Sequence, residues 1–172
     1  MIEKKLFLSE IGMKKRLVRV LTLVFAVLMA AVIFFFSAQN GEISGDSSDK
    51  LSEKILSLFG AFEEADTVAM EMVMTVGSVL RKVAHFTEYF VFGAVVCGFF
   101  ATFSWKKRWT GAISFAIGAL YAVSDELHQY FVPGRCASVW DVLLDSAGVL
   151  CGVLAVIGVT VLLTRREEKK AK

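Results

Sequence analysis

The chain has 172 residues, of which 56% are hydrophobic, with a single proline and a mean hydropathy of +0.62. Soluble domains average about 45–50% apolar residues, so a water-soluble fold of this size is excluded and one integral membrane domain is indicated. Nineteen Lys and Arg against 17 Asp and Glu leave a net charge of +2, which makes no case for nucleic acid as a partner.

Residues 1–19 form a basic cytoplasmic lead-in containing Lys4, Lys5, Lys14, Lys15, Arg16 and Arg19. An uncharged run follows over residues 20–41. About 20 apolar residues cross a hydrocarbon core roughly 30 Å thick, so a first transmembrane helix is predicted over residues 20–40. A cleaved signal peptide is disfavoured, because the run is too long for one and Phe36-Ser37-Ala38-Gln39 lacks a small-x-small site.

Residues 42–71 turn acidic and polar, and residues 41–80 are predicted to be an extracytoplasmic loop. Its first part, residues 41–48, has no periodicity and reads as a loop. Leu51, Ile55, Leu58, Phe59 and Phe62 then recur at helical spacing, opposite Lys50, Glu53 and Lys54, predicting a short amphipathic helix on the membrane surface or against the bundle. Met70, Met72 and Met74 are expected to be packing residues.

Three further spans are predicted within residues 81–164. One starts near Val83 and ends at the basic loop Trp105-Lys106-Lys107-Arg108-Trp109. The next is uncharged from Trp109 to Ser124 and ends at a Pro133-Gly134 turn. The last begins near Val139 and is uncharged from Ser146 to Thr164, before a basic tail over residues 165–172. The fold class is therefore an all-α membrane bundle of four transmembrane helices. Basic residues favour the cytoplasmic side, so the lead-in, the Lys106 to Arg108 loop and the tail place both termini there. Arg81 and Lys82 run against that rule.

At 1.5 Å per residue, Glu88 lies roughly 25 Å above Trp105, Asp125 about 24 Å above Trp109, and Asp145 about 30 Å above Arg165. Three carboxylates from three helices thus share one level near the extracytoplasmic mouth. His85 and His128 fall close to them, and Arg81 and Asp141 lie slightly further out. Arg81, His85 and Glu88 occupy one helix face, and Asp125, His128 and Gln129 another. Asp141 and Asp145 continue along their face into Gly148 and Gly152, a small-residue surface that permits close helix approach.

These residues carry a resemblance. Arg81-Lys82-x-x-His85-Phe86-x-Glu88-Tyr89, then Ser124-Asp125-Glu126-x-His128-Gln129-x-Phe131-Val132-Pro133-Gly134-Arg135, then Ser138-x-x-Asp141-Val142-x-x-Asp145-x-x-Gly148-x-x-x-Gly152 resemble the VanZ-like family of bacterial membrane proteins. The resemblance covers the last three spans, and the stretch up to about Thr67 carries no motif of the family. It implies a multi-pass protein of the bacterial cytoplasmic membrane, related to a namesake associated with low-level resistance to teicoplanin. It implies no particular reaction, and in the family pattern the position of Asp145 is often Asn.

Ionisable groups at membrane depth are a functional signal that competes with bland explanations. The expected functional cluster is Arg81, His85, Glu88, Asp125, Glu126, His128, Gln129, Arg135, Asp141 and Asp145. One reading is a headgroup site for membrane lipids or a lipid-linked cell-wall precursor, since guanidinium groups grip phosphate with paired donors. A second is a metal-assisted phosphoester hydrolase. No metal or cofactor is expected, but His85, Glu88, Asp125 and His128 are the ligand set if an ion is present. A third is an ion-pair network that only braces the helices, with Arg81 or Arg135 neutralising the carboxylates.

Several residues have local explanations. Ser138-x-x-Asp141 fits a capping box. Tyr89, Tyr130 and Trp140 suit an outer aromatic belt, with Trp105 and Trp109 the inner one. Ser124 and Asp125 project about 100° apart on a helix, so a Ser-His-Asp triad is not expected. Cys97, Cys136 and Cys151 have no metal-like spacing and are expected to be free thiols. The oligomeric state is left open.

Overall fold

The computed structural model describes residues 2–60, 67–103 and 105–170, with side chains from Gly12 onward. The predicted Phe62 and the Lys4 and Lys5 side chains lie outside the described residues. Five helices and no strand occur among the described residues: α1 (Ile2–Ser37), α2 (Gly41–Leu58), α3 (Thr67–Ala101), α4 (Lys107–Gln129) and α5 (Val139–Lys170). Gly12–Ser37, Thr67–Ala101 and Val139–Lys170 are long and apolar enough to cross a membrane.

The closest interface joins α3 to α5, and glycine makes it. A side chain at Gly152 would strike the Phe90 carbonyl, and one at Gly148 would meet the Phe86 carbonyl and Tyr89. Gly93 of α3 faces Val149 in return. The predicted small-residue face is therefore the packing face, because only helices without Cβ atoms at the crossing come this close. Gly118 of α4 seats Val149 from the other side. Ile33, Tyr89, Phe92, Val96, Cys97, Ala122, Val149 and Val153 form the core between α1, α3, α4 and α5.

Two arginines tie helix C-termini to other segments. Arg19 of α1 donates to the Thr102 hydroxyl and carbonyl just past the end of α3, and its guanidinium lies 3.9 Å from the Phe103 ring centroid. Arg135, beyond α4, donates to the carbonyls of Phe36 and Gln39 where α1 ends, each at 3.0 Å. A cation at a helix C-terminus meets both the orphan carbonyls and the negative end of the macrodipole.

The stretch around α2 and early α3 departs from the sequence expectation. Residues 41–48 are helical, not a loop, because Asn40 caps α2 by accepting the Glu42 N–H at 3.0 Å. Ser47, Ser48 and Ser52 within α2 donate to carbonyls four residues back. The side of α2 that packs is small and polar: Ser48, Asp49 and Ser52 lie on Gly77 of α3. Leu51, Leu58 and Phe59 of the predicted apolar stripe remain exposed.

Helix α3 starts at Thr67 rather than near Val83, so Arg81 and Lys82 sit within it instead of at its head. Its 35 residues are about 52 Å long, more than a bilayer core of roughly 30 Å. The surplus lies beside α2. Met70, Met72 and Met74 are exposed there, whereas Ala69 and Val73 do the packing. Ala69, Val73 and Gly77 follow one another at four-residue spacing on one face of α3, and the three methionines lie off it.

Candidate functional site

Near the turn that joins α4 to α5, a cavity of about 240 Å³ is lined by residues of α2, α3, α4, α5 and that turn. Arg81, Lys82, Gln129, Arg135 and Asp141 contribute to its wall, with His85, Glu126 and Asp145. Two glycines close the junction beside it. The Gly41 N–H donates to the Pro133 carbonyl at 3.1 Å, and Gly134, at φ 74°, presents its carbonyl to Gly41. A Cβ on Gly41 would strike that carbonyl, and a side chain at Gly134 would be strained by the left-handed backbone.

Several polar residues of the predicted cluster are committed to holding segments together. Asp125 is buried and accepts from the Ser37 hydroxyl at 2.8 Å and from Gln129 Nε2 at 3.2 Å, all through Oδ2. Gln129 also donates to Ser37 Oγ, and its Oε1 accepts from Arg135 at 3.4 Å. Glu126 accepts the Ser138 N–H at 2.6 Å, fastening α4 to the head of α5. The predicted capping box is thus only half local. Ser138 Oγ caps the Trp140 N–H at 3.2 Å, but the Ser138 N–H goes to Glu126 and not to Asp141. Asp141 instead lies 3.7 Å from Lys82 Nζ, a partly exposed pair linking α5 to α3.

Neither arginine has the neutralising role the sequence suggested. Arg135 serves the C-terminus of α1, with no ion pair to a carboxylate among the described residues. Burial lowers its pKa, and Arg81 acts in the same direction; a guanidinium nonetheless stays charged. Arg81 lines the cavity, has a guanidinium nitrogen close to Gly45 of α2, and makes no hydrogen bond or ion pair among the described residues.

The predicted ligand set is also redrawn. A ring nitrogen of His85 and one carboxylate oxygen each of Asp125 and Asp145 lie within 4.8 Å of one another. Glu88 is beside this group, with an oxygen 3.9 Å from His85 Nδ1, too far for a hydrogen bond. His128 is not part of it, since its ring stacks on Phe34 of α1 at 4.6 Å. Residue 128 follows Asp125 by three positions, which leaves it about 60° away around the helix, enough to turn it toward a different neighbour.

Two contributors were missed from sequence. Ser37 is fully buried and joins α1 to Asp125 and Gln129. Its only signal was a hydroxyl in the last turn of an apolar span, at the level predicted for Asp125. Tyr89, expected in the aromatic belt, is instead fully buried with its hydroxyl beside Asp125. Tyr130 and Trp140 are exposed, as belt residues would be. Ser124 is exposed and donates to the Tyr121 carbonyl, away from His128, so no triad forms. Cys97, Cys136 and Cys151 are free thiols.

An all-helical protein with three membrane-capable helices and a polar cavity at the α4–α5 turn is a multi-pass membrane protein in architecture. The model of the VanZ/LLP1 family matches residues 22–163, and the chain belongs to that family. The match begins inside α1, well before the motifs that carry the sequence resemblance. Comparison with curated proteins and with solved structures finds no match.

Proposed function

We propose that this protein binds the phosphate-bearing headgroup of an envelope lipid, or of a lipid-linked cell-wall precursor, in the cavity beside the α4–α5 turn. The observation that carries the reading is Arg81, a guanidinium on the cavity wall that no carboxylate or carbonyl of the described chain engages. A buried or half-buried cation without a partner is costly, and a phosphate supplies the paired acceptors it lacks. Lys82 reinforces the positive edge, although Asp141 shares it. At about 240 Å³ the cavity is below the usual range for whole drug-sized ligands and suits a headgroup whose tails stay in the bilayer.

In this reading α4 crosses the membrane with α1, α3 and α5. Both termini lie in the cytoplasm of a bacterial cell, and the cavity opens on the extracytoplasmic side, where cell-wall precursors are exposed. A lower susceptibility to teicoplanin would follow if the bound precursor were altered or sequestered. Native mass spectrometry of the detergent-purified protein tests the binding. Phospholipid or polyprenyl phosphate is expected to remain on the wild type and to be lost from Arg81→Ala, with the helical content unchanged. Equal lipid retention by the two proteins would refute the assignment.

A further inference from the structure

Five buried polar atoms have no hydrogen-bond partner among the described residues: Asp125 Oδ1, Asp145 Oδ1, His85 Nδ1, the Tyr89 hydroxyl and, on the ring that stacks on Phe34, His128 Nε2. Asp125 and Asp145 are only 4% and 2% exposed, and they come from different helices. Two buried carboxylates facing each other require a positive partner or a proton. The cations near them are engaged elsewhere or do not reach. Lys82 is on Asp141, Arg135 is on the α1 carbonyls, and Arg81 bonds to neither aspartate.

We propose that His85, Asp125 and Asp145 form a binding site for a divalent first-row transition-metal ion, such as manganese or zinc, at the floor of the cavity. Their ligand atoms lie within 4.8 Å of one another. An ion held about 2.0–2.2 Å from each nitrogen and oxygen needs only a modest closing of that triangle. One imidazole with two carboxylates suits manganese, iron or zinc, whereas magnesium and calcium prefer all-oxygen sites.

The surroundings of Asp125 fit a ligand held from behind. Ser37 and Gln129 occupy Oδ2, which leaves Oδ1 buried and without a hydrogen-bond partner. Outer partners of this kind orient metal ligands and make them better donors. Glu88 stands beside the imidazole in a similar position. Three protein ligands leave at least one coordination position open. His85 and Asp145 line the cavity, so that position faces it. A water molecule or a phosphate oxygen would complete the shell, and the ion would offset both aspartate charges.

The ion site stands apart from the headgroup reading: a protein that binds metal but retains no lipid keeps the first and loses the second. The test uses tag-free, full-length protein in detergent, stripped with a chelator and dialysed against Mn²⁺ alone or Zn²⁺ alone. Elemental analysis of the wild type is expected to give about one equivalent per chain, with a raised unfolding temperature. His85→Ala and Asp145→Ala should lose the ion, and Ser37→Ala should bind it about tenfold more weakly. His128→Ala, on Phe34, should bind it as the wild type does. Asp145→Asn keeps an amide oxygen and should retain part of the affinity. A wild-type protein that takes up neither metal overturns the proposal, which would mean that a proton is shared by the two aspartates. So would His85→Ala and Asp145→Ala proteins that bind as much metal as the wild type. The wild-type measurement decides the matter even if a variant fails to fold.

Discussion

Ser37 is held from two sides, since its hydroxyl donates to Asp125 and accepts from Gln129 within a fully buried junction. Ser37→Ala would leave both partners short of a bond. Asp125 and Gln129 keep the bond to each other, so the loss is that of ordinary buried hydrogen bonds, about 0.5–1.5 kcal/mol each, and a lower unfolding temperature in detergent is expected, readable by a thermal-shift assay on purified protein. The serine was invisible in the sequence for a physical reason. A hydroxyl on a helix satisfies itself on the carbonyl four residues back, as Ser114 does on Thr110, so it carries no signal of a partner. A carboxylate or imidazole cannot do this, which is why Asp125, Asp145 and His85 stood out. His128 stood out equally, yet it packs on Phe34, because residue type announces that a polar group needs a neighbour without saying which one.

At the scale of elements, the α3–α5 crossing rests on glycine, and substitution there separates from substitution elsewhere on the same helix. Gly152→Val forces the helices apart at Phe90, whereas a side chain at Gly158 has open space around it. Overpacking of this kind costs roughly 1–3 kcal/mol or more. Gly152→Val is therefore expected to lower the amount of folded protein in the membrane, and Gly158→Val to leave it unchanged, as quantitative immunoblotting would show. Equal abundance of the two would contradict the crossing. This face was legible because small residues four apart mark one stripe of a helix. Helix α2 was not legible. Its serines and glycines are weak helix formers, and the cap at Asn40 together with the seat on Gly77 overrides that preference. Of the two placements open to its apolar stripe, the membrane surface or the bundle, exposed Leu51, Leu58 and Phe59 agree with the first, while Ser52 and Leu56 pack against the bundle.

For the whole molecule, the charge pattern predicts both ends in the cytoplasm and the α4–α5 turn outside. A reporter active only in the periplasm should be active when fused after Gly134 and silent at Lys107; the opposite pattern would invert the placement. What the sequence by itself determined was the membrane class, the kinship carried by the motifs, the glycine face, and the gathering of polar residues toward one end of the bundle. All of these are properties measured along a chain or a helix axis, where hydropathy and a rise of 1.5 Å per residue suffice. Only the tertiary structure decided which polar residues meet. It drew Asp145 in with His85 and Asp125, turned His128 aside, sent Arg135 to the end of α1, left Arg81 on the cavity wall, and brought Ser37 across from the first helix. Those outcomes depend on the rotation of each helix about its axis and on how closely its neighbours approach, which is settled by glycine contacts and buried hydrogen bonds between residues far apart in the chain.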